Sequence, residues 1–152
     1  MAKVAALLER DYGLAAVIVG GAGDKAAGAT ITAAVPQGRA HDLTGQVPLA
    51  GLPDVLAGAR LHVGNDTGAT HLAAALGVPT VAIVSGVPRP DVWQPVGARV
   101  RVVAGRARCA PCYKQRLEDC TFEVACLKKV EIAHIEKVCR ELLAEQQSPG
   151  NG

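Results

Sequence analysis

Apolar and polar positions along the chain follow two patterns, one typical of amphipathic helices and one typical of buried strands. Residues 2–12 place Val4, Leu7 and Leu8 at helical spacing among charged side chains, which predicts an amphipathic helix. Residues 15–19 are continuously apolar, as in a strand that is buried on both faces of a parallel sheet. We therefore predict a surface helix followed by a buried strand.

The same two patterns recur to the end of the chain. They predict helices over residues 24–34, 48–58 and 67–76, strands over 61–63, 80–84 and 100–103, and a last helix with Ile132, Ile135, Val138 and Leu142 along one side. Strand and helix alternate without hairpin signals, so each strand is joined to the next by a crossover connection. The predicted fold class is α/β, a Rossmann-like parallel sheet with helices on both faces.

The composition is that of a folded domain built mainly from small aliphatic residues. Of 152 residues, 49% are apolar and 20% are charged, and the net charge is +2. Lysine and arginine are spread along the chain instead of forming a basic patch, so nucleic acid is not an expected partner. No apolar run approaches the roughly eighteen residues of a membrane span, and acidic residues follow soon after Met1, unlike in a signal peptide. We expect a cytoplasmic protein.

The most informative segment joins the strand at 61–63 to the helix at 67–76. Asn65 or Asp66 can cap this helix, and Gly68 lets a ligand approach the backbone closely. A helix N-terminus at the carboxyl end of a parallel strand is a ready anion site, and phosphate or diphosphate is the natural ligand. His71 lies one turn into the helix, where it can point back toward that ligand.

Each of these residues also has a purely structural interpretation. Asp66 alone is explained by helix capping, and His71 alone by a buried histidine bonded to the backbone. Their occurrence together with Gly68 favours ligand contact. No partner is evident in the sequence for His41, His62 or His134, and we expect structural or surface roles for them.

The segment GNDTG at residues 64–68, followed by HLAAALGVPT at residues 71–80, resembles the signature of glycosyltransferase family 9, the ADP-heptose:lipopolysaccharide heptosyltransferases. The resemblance extends to VIVGG at 17–21, to LAGL at 49–52 and to CAPC at 109–112. It covers most of the chain. The family implies a GT-B enzyme of two facing Rossmann-like halves, in which the C-terminal half holds the nucleotide sugar and no metal cofactor is required.

Residue by residue, the resemblance places four side chains at the diphosphate and sugar of the donor: Asp66, Thr67, Gly68 and His71. It also makes the turn of Gly20, Gly21 and Asp24 the expected contact for adenine and ribose, although helix capping is an equal explanation for Asp24. The implied reaction is attack of an acceptor hydroxyl on the anomeric carbon with departure of the nucleoside diphosphate. The acceptor is expected to be a lipopolysaccharide core.

The chain also departs from the family. It is about half the length expected of two domains. From the resemblance, we expect that the first strand of the donor domain, with its lysine-bearing phosphate loop, is absent from this sequence. We expect the same of the N-terminal domain, which supplies the general base in the family. We therefore expect binding without efficient transfer, self-association to replace the absent strand, and, from the family, a location at the inner face of the inner membrane.

The cysteines form a separate candidate site in a segment over residues 109–126. Four of the five have spacings that suit a structural zinc or iron site: Cys109, Cys112, Cys120 and Cys126. Disulfides in an oxidised preparation and free buried thiols remain as alternatives. Cys139 lies near the apolar face of the last helix, where we expect it in the core.

Two functional hypotheses follow from these observations. In the first, residues 1–145 are a donor domain that binds ADP-heptose or a related nucleotide sugar, and residues 146–152 are a flexible tail. In the second, the chain is a non-catalytic remnant or an assembly module held by a cysteine-bound metal. A different enzyme with Rossmann-like domains, such as a nucleotide-sugar epimerase, is a weaker third interpretation.

Overall fold

The computed structural model describes residues 1–86, 93–105, 107–114 and 116–146. Within the chain, two compact units are distinguished, the first spanning Met1–Val55 and the second Leu56–Gly152. The prediction of a donor-binding domain over residues 1–145 stays a prediction. Of the predicted flexible tail, residues 147–152 lie outside the described residues.

Each predicted helix and strand is present among the described elements, together with others that were not predicted. In chain order they are α1 (Ala2–Tyr12), β1 (Ala16–Ile18), α2 (Lys25–Thr32), β2 (Ala40–Asp42), α3 (Leu52–Ala57), β3 (His62–Asn65), α4 (Gly68–Ala75), β4 (Thr80–Val84), β5 (Val100–Ala104), α5 (Ala125–Lys128) and α6 (Ile132–Glu145). Short 3-10 turns at Ala22–Asp24, Leu49–Gly51 and Leu117–Asp119 complete the described elements. None of the described helices is long and apolar enough to cross a membrane.

The first unit has a two-stranded parallel sheet in which Ala16 pairs with Ala40. The prediction that β1 is buried on both faces is wrong. Ile18 is 9% exposed, but Val17, on the opposite face of the strand, is 52% exposed. Strand β2 was not predicted, since Ala40–Asp42 carries two polar residues out of three and has no apolar pattern.

The second unit contains a three-stranded parallel sheet in the order β3-β4-β5. All five residues of the central strand β4 are buried, so both of its faces are covered, as predicted for this strand. Helices α4 and α6 pack against it. Three residues of the predicted apolar side of α6 are buried, Ile135, Val138 and Leu142, whereas Ile132 at the start of the helix is 37% exposed.

The described strands thus form two separate parallel sheets and not the single sheet that the alternation predicted. All strand pairs are parallel, so the prediction of crossover connections is confirmed. Periodicity identifies a strand but carries no information about which neighbour it pairs with, and this accounts for the difference.

Candidate functional site

The candidate site is the turn that connects β3 to α4 in the second unit. Strand β3 ends at Asn65, and α4 begins at Gly68 with Thr67 as its N-cap. The prediction that Asn65 or Asp66 caps the helix is wrong, because Thr67 has the extended backbone of an N-cap, with φ −140° and ψ 165°. No side chain forms a capping hydrogen bond at this end of α4.

Asp66 is paired with His71 instead of the helix amides. Its Oδ1 lies 3.0 Å from Nε2 of His71, one turn into α4. Their side chains are 25% and 42% exposed, so the pair lies at the surface of the unit. His71 thus points back toward the turn, and its contact with a ligand stays a prediction. The contact orients the imidazole relative to the helix N-terminus.

A second polar pair lies beneath the turn. Thr70 is fully buried, and its hydroxyl donates to the carbonyl oxygen of Asn65 at 2.6 Å. Nε2 of His62 lies 3.0 Å from the same hydroxyl oxygen. His62 therefore has a partner, which the sequence did not reveal. The available signal was weak: a threonine at an inward position of a predicted helix and a histidine within a predicted strand.

Gly64 makes room for this pair. A Cβ at position 64 would lie 2.6 Å from His62 Nε2 and would also collide with Thr70 Oγ1. By contrast, a Cβ at Gly68 would meet no atom within 4 Å. Gly64 is thus fixed by packing below the turn, whereas Gly68 faces open space where a ligand can approach.

The electrostatics of the turn favour an anion. The N-terminus of a helix carries about half a positive charge, and its first amides have no partner within the helix. Because no side chain caps α4, these amides are available at the carboxyl end of β3. At the other end of α4, Gly77 follows the C-cap Leu76 and has a φ of +76°, a left-handed conformation that stops the helix.

The second set of predicted residues lies in the first unit, after β1. The amide of Gly21 donates to Oδ2 of Asp24 at 2.8 Å, and the amide of Asp24 donates in return to the carbonyl of Gly21 at 3.0 Å. Asp24 therefore caps the 3-10 turn at Ala22–Asp24. It is also the N-cap residue of α2, but its side chain forms no capping hydrogen bond with that helix. Gly20, Gly21 and Asp24 are all exposed, which leaves the second carboxylate oxygen of Asp24 for another contact.

The neighbouring end of β2 holds an acidic side chain that the sequence did not single out. Oδ1 of Asp42 accepts a hydrogen bond from the amide of Thr44 at 2.9 Å. This bond, together with the Thr44 hydroxyl and the charge of Lys25, lowers the pKa of Asp42 below its ordinary value. Asp42 is therefore a carboxylate at neutral pH.

The predicted four-cysteine metal site is not formed. Among the described residues, which include all five cysteines, no group of three or more His, Cys, Asp or Glu side chains is arranged to hold a metal ion. The cysteines are also free of disulfides. Cys126 and Cys139 are buried, and the interpretation as free thiols is the one that remains. The spacings suit a metal site, but the fold of the described residues does not bring the four sulfur atoms together.

Comparison with known proteins identifies the family. Residues 2–121 match the family described as glycosyltransferase family 9 (heptosyltransferase). The chain is 41% identical over 78 residues to lipopolysaccharide heptosyltransferase 1 of Pseudomonas aeruginosa and 35% identical over 96 residues to lipopolysaccharide heptosyltransferase 2 of Escherichia coli. These matches cover 51% and 61% of this chain, but only 21% and 27% of the two relatives.

Solved structures give the same result for the fold. The structure of E. coli ADP-heptose LPS heptosyltransferase II matches with a TM-score of 0.77 and 27% identity, over 97% of this chain and 41% of that chain. A family 9 glycosyltransferase from Veillonella parvula matches with a TM-score of 0.79 and 23% identity, over 95% and 40% respectively. The chain therefore has the fold of part of a GT-B heptosyltransferase.

Proposed function

Since the chain belongs to glycosyltransferase family 9, we propose that it is the half of a heptosyltransferase-type enzyme that binds the nucleotide sugar. The proposed ligand is ADP-heptose or a related sugar nucleotide, with its diphosphate at the N-terminus of α4. The observation that carries the proposal is the turn at 65–68, where an uncapped helix follows a parallel strand and the paired Asp66 and His71 lie beside it.

The chemistry proposed for this turn is stabilisation of the leaving group. In the transfer reaction, an acceptor hydroxyl attacks the anomeric carbon while the bond from that carbon to the diphosphate oxygen breaks. Negative charge then develops on the nucleoside diphosphate, and the amides of α4 are placed to stabilise it. We propose that the acceptor is a lipopolysaccharide core, and that the groups that bind it and remove its proton lie on a part of the enzyme outside this chain.

The turn of the first unit is proposed to contact the nucleoside. Asp24 uses Oδ2 to hold the amide of Gly21, and a carboxylate has further lone pairs to accept from ribose hydroxyls. Gly20 and Gly21 leave the backbone accessible to a flat base. The contribution of this turn is tested separately from that of Asp66 and His71.

Calorimetric titration of the purified chain with ADP, and in parallel with ADP-heptose, tests the proposal. We expect saturable binding that is lost in Asp66→Ala and in His71→Ala. His134→Ala is the matched control, because His134 is exposed on α6 and belongs to neither candidate turn. Absence of binding by well-folded wild-type protein would refute the proposal and favour the hypothesis of a non-catalytic remnant.

Titration with pyrophosphate distinguishes the contribution of the α4 turn from that of the Asp24 turn. If the α4 turn binds the diphosphate, Asp66→Ala should weaken the binding of both ADP and pyrophosphate. If Asp24 binds the ribose, Asp24→Asn should weaken the binding of ADP about tenfold, as loss of a charged hydrogen bond does. The affinity for pyrophosphate should be unchanged. Equal affinity of wild type and Asp24→Asn for ADP would remove Asp24 from the site.

A further inference from the structure

The Asn65–Asp66 peptide bond is held at both of its polar groups. Its carbonyl oxygen, on Asn65, accepts the hydroxyl of Thr70 from α4 at 2.6 Å. Its amide, on Asp66, donates to the carbonyl oxygen of Ile83 on β4 at 3.2 Å. One peptide plane is thus fixed between a helix and the central strand of the sheet. The orientation of this plane sets the direction in which the Asp66 side chain leaves the backbone.

The hydrogen-bond roles in this network can be assigned from valence. A threonine hydroxyl has one proton, and here it is donated to Asn65. The contact of 3.0 Å between Thr70 Oγ1 and His62 Nε2 therefore requires that Nε2 carries a proton and donates to Thr70. Burial lowers the pKa of His62 and favours the neutral ring. The neutral Nε2–H tautomer follows from these two statements.

We infer that His62 and Thr70 are positioning residues, which hold the Asn65–Asp66 peptide so that Asp66 meets His71 at the start of α4. The inference rests on the proposed function for its effect on ligand binding. His62 orients the Thr70 hydroxyl, the hydroxyl fixes the Asn65 carbonyl, and the fixed peptide directs the Asp66 carboxylate to His71.

The geometry differs from the usual behaviour of threonine in a helix. A helical threonine commonly bonds to the carbonyl three or four residues before it, within its own helix. Thr70 reaches back five residues to Asn65, which lies outside α4 at the end of β3. The bond therefore contributes to the shape of the turn and not to the helix.

Two matched pairs of variants test the inference. Thr70→Val removes the hydroxyl and keeps the branched shape, whereas Thr70→Ser keeps the hydroxyl. His62→Leu removes the donor, whereas His62→Gln keeps an N–H group at a similar distance from the backbone. We expect Thr70→Val and His62→Leu to weaken ADP binding about tenfold, and the two conservative variants to restore it to within about threefold of wild type.

Nuclear magnetic resonance provides a measurement that does not depend on a ligand. Long-range proton–nitrogen spectra of the wild type should show the Nε2–H tautomer of His62. Hydrogen exchange at the Asp66 amide should be slow in wild type and in Thr70→Ser and should accelerate in Thr70→Val. A wild-type His62 in the Nδ1–H tautomer, or unchanged Asp66 exchange in both Thr70→Val and His62→Leu, would overturn the inference.

The two measurements separate this inference from the proposed function. If wild type does not bind ADP but exchange responds as expected, the proposed function fails while the positioning of the turn is supported. If wild type binds ADP and the folded Thr70→Val and His62→Leu variants bind it equally well, the positioning role is refuted and the proposed function stands. Should Thr70→Val not fold, the His62→Leu and His62→Gln pair decides the question by the same readouts.

Discussion

Replacement of Gly64 by alanine tests the packing beneath the α4 turn. The added Cβ would lie 2.6 Å from Nε2 and 3.3 Å from Cε1 of His62 and would collide with the hydroxyl of Thr70. Neither neighbour can easily move away, since Thr70 is fully buried and the two side chains are bonded to each other. Relief of the collision requires that the His62–Thr70 hydrogen bond breaks.

The effect of Gly64→Ala on the free energy of unfolding has two unfavourable contributions and one favourable contribution. Overpacking of a filled site costs about 1–3 kcal/mol, and leaving buried polar groups without partners costs about 1–3 kcal/mol. Gly64 does not have a positive φ, so alanine suits its backbone and recovers about 0.5–1 kcal/mol through the unfolded chain. The net loss in the free energy of unfolding should be about 1–5 kcal/mol.

Urea denaturation followed by the fluorescence of Trp93 measures this loss, because Trp93 is the single tryptophan of the chain and lies in the second unit. Gly68→Ala is the matched control and should change stability by less than about 1 kcal/mol, since its Cβ meets nothing within 4 Å. In a Thr70→Ala background, Gly64→Ala should cost less than in wild type. A loss below about 0.5 kcal/mol for Gly64→Ala alone would refute the steric reasoning.

Leu142→Ala should lower the free energy of unfolding by about 2–5 kcal/mol in the same urea assay, because Leu142 is fully buried. Ile132→Ala on the same helix should lower it by less than about 1 kcal/mol, because Ile132 is 37% exposed. Equal losses in the two variants would contradict the burial assigned to α6. Burial in the folded state lowers the pKa of His62, so the unfolded state binds more protons at acidic pH. The free energy of unfolding should therefore decline as the pH falls below about 6.5. The decline due to this one group is at most about 1.4 kcal/mol per pH unit. Urea titrations at several pH values check this, and His62→Gln should decline less steeply than wild type. Burial raises the pKa of the Cys139 thiol to about 11, so iodoacetamide at pH 8 should leave Cys139 unmodified in the native protein. The half-buried Cys112 should react under the same conditions. Peptide mass spectrometry measures both, and alkylation of Cys139 before Cys112 would contradict this prediction.

The strand–turn–helix–strand segment of the second unit could be predicted because its signals are local. The apolar run of β4 predicted both ends of the strand correctly, and the end of α4 was predicted to within one residue. The start of α4 was predicted one residue early, since Asp66 is as good a capping residue in isolation as Thr67. In the structure the Asp66 carboxylate contacts His71 and not the helix amides, and capping propensities do not take such a competing partner into account.

Features that depend on distant pairing could not be predicted in the same way. Strand β2 exists because Ala40 lies beside Ala16, a pairing that no local pattern indicates. Val17 belongs to an apolar run, yet it is more than half exposed, because a run of this kind is equally compatible with one covered face. The cysteine spacing likewise permits a metal site without requiring one, and the described residues contain no group of three or more side chains that could hold a metal ion.

The two polar pairs at the α4 turn differ in what a loss of function at each would mean. Asp66 and His71 are partly exposed, so a substitution there removes a ligand contact and changes the turn at the same time. Thr70 has no exposed surface and cannot touch a ligand, so a loss of affinity in folded Thr70→Val is indirect. The Asn65–Asp66 peptide is the part of the turn that the Thr70 hydroxyl holds. A comparison of Thr70→Val with Asp66→Ala therefore separates the cost of a misplaced turn from the cost of a lost contact. The fraction of the Asp66→Ala effect that Thr70→Val reproduces is the part due to position.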